Sequence, residues 1–230
     1  PQDGTCGLEI ELFLLDSDLR PLLTVGSGPS KKSFVDYLRE NHIPESVLSL
    51  TDLEAFQWMI EWGTHPYYSA RGAIYEGRIL QGVVLNALHK AGQAFEEKLH
   101  LWHGNLPYLT GVNYDSIPGG WHLAKRRYIE KCVDIYGGTL STAGNHTNIS
   151  LPETLLMWDF MHLPAAKREG ILLDNYKNDV YITATRLLRA FAPLFIATSA
   201  ASPFMAEIRD GKPVVLITEH NSLRSQTFPK

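Results

Sequence analysis

Only two cysteines, Cys6 and Cys132, occur in 230 residues. They form no CxxC spacing, which excludes a disulfide framework and a zinc knuckle and fits a reducing cytoplasm. An excess of basic residues is also missing. The formal charge of −4 and a pI near 6.1 leave no electrostatic footprint for nucleic acid or for an anionic membrane surface. Long apolar runs are absent too: the longest, Ala190 to Ala201, is too short to span a bilayer, and no basic-then-apolar signal opens the chain. Neither an internal repeat nor a low-complexity linker interrupts it. What remains is an ordinary globular composition, 44% hydrophobic and 20% charged. A chain of this size buries roughly 70% of its unfolded surface. Any phosphate it binds has to be met locally, by a metal or a few arginines. The chain opens on Pro1 and closes on Phe228-Pro229-Lys230, so a trimmed or partial chain is expected.

Periodicity locates the elements. In Gly7 to Leu15, Leu8, Ile10, Leu12 and Leu14 alternate with Glu9, Glu11 and Phe13, the period-2 pattern of a strand with two unlike faces. A polar turn at Asp16 to Arg20 precedes a short amphipathic helix over Phe34 to Glu40. A second strand is expected over Ala55 to Gly63, with Phe56, Trp58, Ile60 and Trp62 opposite Gln57, Met59 and Glu61. Helical spacing then runs from about Arg71 to Trp102, in one helix or a broken pair. Further helices are expected near Arg126 to Tyr136, from Pro152-Glu153 to His162, and from Asp174 to Ser199 with a kink at Pro193; Phe191, Phe195 and Phe204 read as core. A third strand spans Thr139 to Leu151, and Arg209-Asp210-Gly211-Lys212 reads as a hairpin turn into Val214 to Thr218.

Glu9 and Glu11 lie two apart on a strand, so both carboxylates emerge on one face about 7 Å apart. Such a pair repels itself unless a cation sits nearby, although a lone E-x-E is common on solvent-facing strands. Two other strands also carry a polar face: Gln57 and Glu61 on one, His146, Asn148 and Ser150 on the other. Hard cations such as Mg²⁺ select carboxylate oxygens and bridge them to substrate phosphates, the role open to converging Glu9, Glu11 and Glu61, with His146 completing a site for Mg²⁺ or Mn²⁺. His146 by itself reads as a hydrogen-bonded structural histidine. Arg126, Arg127 and Arg224 stand in polar or glycine-rich contexts suited to an oxyanion, whereas Arg186 and Arg189 read as solvated helix positions. His65, His103, His122 and His220 read as structural.

Six segments, in order, resemble the glutamate–cysteine ligase and carboxylate–amine ligase family. They are Gly7-Leu8-Glu9-Ile10-Glu11, Met59 to Pro66, Lys125-Arg126-Arg127-Tyr128, Gly144 to Pro152, Ala192 to Phe204, and Asn221-Ser222-Leu223-Arg224-Ser225. The resemblance implies an α+β, glutamine synthetase-like fold: a curved, mainly antiparallel sheet with helices on its convex face. It also implies ATP-dependent joining of a carboxylate, typically the γ-carboxylate of glutamate, to an amine such as that of cysteine, through a γ-glutamyl phosphate. Carried over, Glu9, Glu11, Glu61 and His146 are expected metal ligands, Arg224 and Arg127 catalytic contacts, and Gln57, Asn148, Ser150 and Arg224 nucleotide-side contacts. The later E-x-R strand of the family has no counterpart here, so residues 1–230 are expected to form one ligase domain lacking its C-terminal part. The competing expectation is a silent amino-acid- or nucleotide-binding module of the same fold. Small-molecule partners are expected, not nucleic acid or membrane, and a homo-oligomer is compatible with the sequence.

Overall fold

In the computed structural model the described residues are 4–41, 43–103, 112–120, 122–136, 143–194, 204–210 and 212–217. The architecture is α+β. Its centre is β1 (Cys6–Leu15), flanked on one side by β3 (Met59–Gly63), with β2 (Thr51–Leu53) beyond it. On the other side, β4 (His100–Trp102) pairs with the end of β1 and β5 (Asn145–Ile149) with its beginning. Every pairing in this unclosed sheet is antiparallel. The antiparallel sheet follows from strands that alternate instead of reading as continuous apolar runs.

Alternation along β1 sends its side chains into two cores. Leu12 and Leu14 join Ile60 and Trp62 of β3 beneath α3 (Ala70–Phe95) and α1 (Phe34–Glu40), where Leu80, Val84, Leu88, Phe34 and Leu38 are buried. Phe13 and Leu15 face the other way. They pack with Phe56, Trp58 and Met59 against Ile117 and against Ile129 and Val133 of α4 (Leu123–Tyr136). Only the first half of β1 therefore keeps an open polar face, that of Glu9 and Glu11. α3 is one unbroken helix: the Ser69 side chain accepts the Gly72 N–H at its start, and Glu96 in the left-handed region, φ 56°, closes it. The turn after β1 forms as expected, with Asp16 Oδ1 accepting the N–H groups of Asp18 and Arg20, each at 2.9 Å.

Several boundaries differ from the sequence reading. The second strand begins at Met59, because residues 55–58 bend and the Met59 N–H bonds back to the Phe56 carbonyl at 2.9 Å. Phe56 and Trp58 thus join the core beneath α4, away from Ile60 and Trp62. The short α2 (Glu45–Leu48) and β2 carried no periodic signal. After α5 (Glu153–His162) and α6 (Ala165–Arg168), α7 (Leu173–Ala190) is interrupted at Phe191, and helix resumes over 192–194, so the irregularity falls at the Pro193 position where a kink was expected. Proline lacks an N–H and its ring crowds the carbonyl four residues earlier, which accounts for the interruption just before Pro193. Phe191 is 57% exposed and is not core. α5 and α7 are joined by Tyr176–Asp159 and Lys177–Glu153 contacts. The hairpin forms as expected, β6 (Phe204–Arg209) pairing with β7 (Lys212–Ile217) and Asp210 taking φ 51° in the turn.

The two faces of α3 make a direct test of this packing. Leu80→Ala, at a site 2% exposed, is expected to lower the unfolding free energy by about 2–5 kcal/mol. Ile79→Ala, 47% exposed, is expected to change it by less than about 0.5 kcal/mol. Urea unfolding of both variants measures the contrast.

Candidate functional site

Strand register assembles the site. Glu11 stands directly opposite Glu61 on β3, and Glu61 opposite Asp52 on β2. On the other flank Glu9 stands opposite His146 and Gly7 opposite Asn148. Side chains of directly paired residues share a face, so carboxylates from three neighbouring strands crowd together. Just past β2 the chain adds Glu54, whose N–H bonds the Met59 carbonyl at 2.8 Å. Glu11, Glu54 and Glu61 each offer an oxygen within 4.8 Å of the others.

Partners on β5 orient the first two carboxylates. Glu9 accepts from the Asn148 amide at 3.0 Å and meets His146 Nδ1 at 3.0 Å. Glu11 accepts the Gly144 N–H at 2.8 Å, with His146 Nε2 3.7 Å away. Glycine suits position 144, since a Cβ there would stand 3.2 Å from His146 Nε2 and 3.6 Å from Glu11 Oε2. The four residues expected to be ligands, Glu9, Glu11, Glu61 and His146, are thus neighbours on one face.

The other candidates lie elsewhere. Gln57 sits in the bend before β3 and donates its amide to the Asp115 carbonyl at 2.9 Å. Ser150 is bound to Thr5, hydroxyl to hydroxyl at 2.7 Å. Neither is brought to the carboxylates. Arg126 is paired with Glu130 at 2.9 Å, and Arg127 is exposed on α4. Arg127 stands two residues from buried Ile129, about 200° round the helix, so its side chain leaves on the far side from the sheet. Lys125, one turn before Ile129 on the inward face, is the α4 cation that reaches the cluster, 3.1 Å from Glu54. Arg224 lies outside the described residues. Glu54 escaped the sequence analysis because three-residue β2 is too short to display alternation; Asp52-Leu53-Glu54, an acidic i, i+2 pair about an apolar residue, was its only signal.

The arrangement is electrostatically costly. Burial pushes the Glu11 carboxyl above its ordinary range, against the Gly144 N–H and His146, which lower it. Glu61 is pushed up to about 7, by burial first and then by Glu54, Glu9 and Glu11, while Lys125 opposes the rise. A divalent cation would offset this penalty, because Mg²⁺ is bound by one or two carboxylates and completes its shell with water and phosphate oxygens. Beside the cluster opens a cleft of about 660 Å³, with Glu9, Glu61, Asp52, Thr64, Arg39 and Glu45 among its walls. No helix among the described residues is long and apolar enough to cross a membrane.

No protein-family model matches the sequence, and no curated protein does. Solved structures do match. A glutamate–cysteine ligase from Francisella tularensis, determined in complex with AMP, superposes with a TM-score of 0.65 at 17% identity, over 97% of this chain and 42% of that one. A bifunctional glutathione synthetase from Pasteurella multocida superposes with a TM-score of 0.57 at 20% identity, over 87% of this chain and 24% of that one. The chain spans less than half the length of either. It shares the fold of these ligases: the α+β arrangement of antiparallel sheet and helices.

Glu61 contributes to the pH dependence of the metal-free protein. Its folded pKa lies above its ordinary 4.5, so the stability it contributes is complete below pH 4.5 and is lost as pH rises through 7. Between pH 5 and 8 the parent is expected to lose about 1–2 kcal/mol more than Glu61→Gln, the 1.36 kcal/mol per pKa unit being reduced by partial solvent exposure. Denaturant unfolding of both proteins in a chelator, at several pH values, checks the sign.

Proposed function

We propose that this chain takes part in ATP-dependent carboxylate–amine ligation of the glutamate–cysteine ligase kind. The observation that carries this reading is the convergence of Glu9, Glu11, Glu54, Glu61 and His146 on one open sheet face, beside a cleft of about 660 Å³. A fold without metal or phosphate chemistry gains nothing by crowding carboxylates that raise one another's pKa. The shared fold and the six ordered motifs support the same reading.

A carboxylate is a poor electrophile until one of its oxygens is converted to a phosphate leaving group. In the proposed reaction the substrate carboxylate attacks the γ-phosphorus of ATP and ADP departs; the amine of the second substrate then attacks the acyl carbon, expelling phosphate and losing a proton. Bound Mg²⁺ or Mn²⁺ would neutralise the crowded anions. Carboxylates among Glu9, Glu11, Glu54 and Glu61 would hold the metal, with His146 and Asn148 orienting Glu9 and the Gly144 N–H orienting Glu11. The adjoining cleft would take the substrates. Arg224 remains the proposed contact to phosphate or substrate carboxylate, while Lys125 is better placed than Arg127.

ADP release with glutamate and a panel of amines, cysteine included, tests the reaction; metal-dependent stabilisation without ADP release would favour the silent binding module. Glu9→Gln tests the site. It removes one repelling charge with little change of shape, so the metal-free variant should be at least as stable as the parent, yet gain much less melting temperature from millimolar Mg²⁺. Equal Mg²⁺-induced shifts in the two proteins would remove Glu9 from the metal site.

A further inference from the structure

The carboxylate trio already has a cation beside it. Lys125 Nζ lies 3.1 Å from Glu54 Oε2, and Glu54 is one of three residues whose oxygens lie within 4.8 Å of one another. The placement is built into α4. Lys125, Ile129 and Val133 are spaced four apart and share a helix face; Ile129 and Val133 are buried against Phe13 and Met59. Burying those two residues aims Lys125 along the sheet at the acidic cluster, while Arg126 is engaged by Glu130 and Arg127 leaves on the outer side.

We propose that Lys125 is the resident counter-ion of the Glu11–Glu54–Glu61 trio, that a divalent cation displaces it, and that the released ammonium then meets the phosphate the metal brings. The Lys125–Glu54 pairing stands on geometry; its displacement rests on the metal site proposed above, and the phosphate half on the ligase reading. A metal ion held at about 2.0–2.6 Å from carboxylate oxygens needs Glu54 and adds positive charge a few ångströms from Nζ. Lysine suits the exchange. Its ammonium is a compact point charge with three donors on a flexible stem, free to leave one oxyanion for another. A guanidinium held in a two-pronged pair would be harder to release.

The counter-ion role makes two effects of opposite sign. Lys125→Gln removes the competitor, so Mn²⁺ should bind this variant about 2- to 5-fold more tightly, the worth of a partly exposed ion pair. With Mn²⁺ saturating, the same variant should bind inorganic pyrophosphate at least about threefold more weakly, and Lys125→Arg should restore most of that loss, since either cation pairs with phosphate. Lys131→Gln, which removes the same charge from an exposed position on α4, should change neither affinity. Calorimetric titration of the full chain with Mn²⁺, then pyrophosphate, measures both. Unchanged or weaker Mn²⁺ binding in Lys125→Gln, an equal gain in Lys131→Gln, or no Mn²⁺ binding by the parent would each overturn the counter-ion assignment. A parent that binds Mn²⁺ but no pyrophosphate would count against the phosphate half and the ligase reading together, while the Mn²⁺ comparison still decides the first half.

Discussion

Repulsion among half-buried carboxylates is the constraint on which this structure turns. Glu11 and Glu61 face each other across neighbouring strands, Glu54 closes on both, and Glu9 stands one alternation away on β1. Like charges directly opposite in a sheet are destabilising, and here they are partly shielded from water as well. The pairing persists because the opposite faces of the same strands are committed elsewhere. Ile10 and Leu12 of β1, with Ile60 and Trp62 of β3, pack in the layer beneath α3, and a one-residue slip of either strand would exchange acidic and apolar faces.

That commitment divides the labour along β1. Its second half is buried on both faces, Leu12 and Leu14 toward α3 and Phe13 and Leu15 toward α4. The first half is open on one face and lined there by β5, whose residues are exposed throughout. The rigid half fixes register, and register fixes where Glu9 and Glu11 stand; the open half lets a ligand reach them. α4 serves both ends, burying Ile129 and Val133 and presenting Lys125.

Polar partners decide which lone pairs remain available. Asn148 and His146 take one oxygen each of Glu9, and the Gly144 N–H takes an oxygen of Glu11. Such contacts hold carboxylates in place without neutralising them, the preorganisation that a metal site needs. Burial first, and then Glu54, Glu9 and Glu11, hold the Glu61 carboxyl up at about 7, with Lys125 opposing them.

The sequence by itself determined the elements with strong local signals: β1 from its strict alternation, the long helix from its 3.6-residue spacing, α1 from its amphipathic pattern, α5 from its Pro152-Glu153 first turn and the Asp210 hairpin from its turn residues. It also determined that Glu9 and Glu11 share a face and that Glu61 and His146 lie on strands with polar sides, and ordered motifs pointed to the ligase fold. Tertiary structure alone decided the rest. The bend at residues 55–58 breaks an apparently continuous alternation, removing Gln57 from the site and sending Phe56 and Trp58 into the second core. Glu54 enters only because hairpin pairing folds β2 back along β3, a long-range event that a three-residue strand does not advertise. The choice of Lys125 over Arg127 depends on which side of α4 is buried, and that is set by the sheet α4 packs against, since periodicity gives a helix its stripe but not its partner.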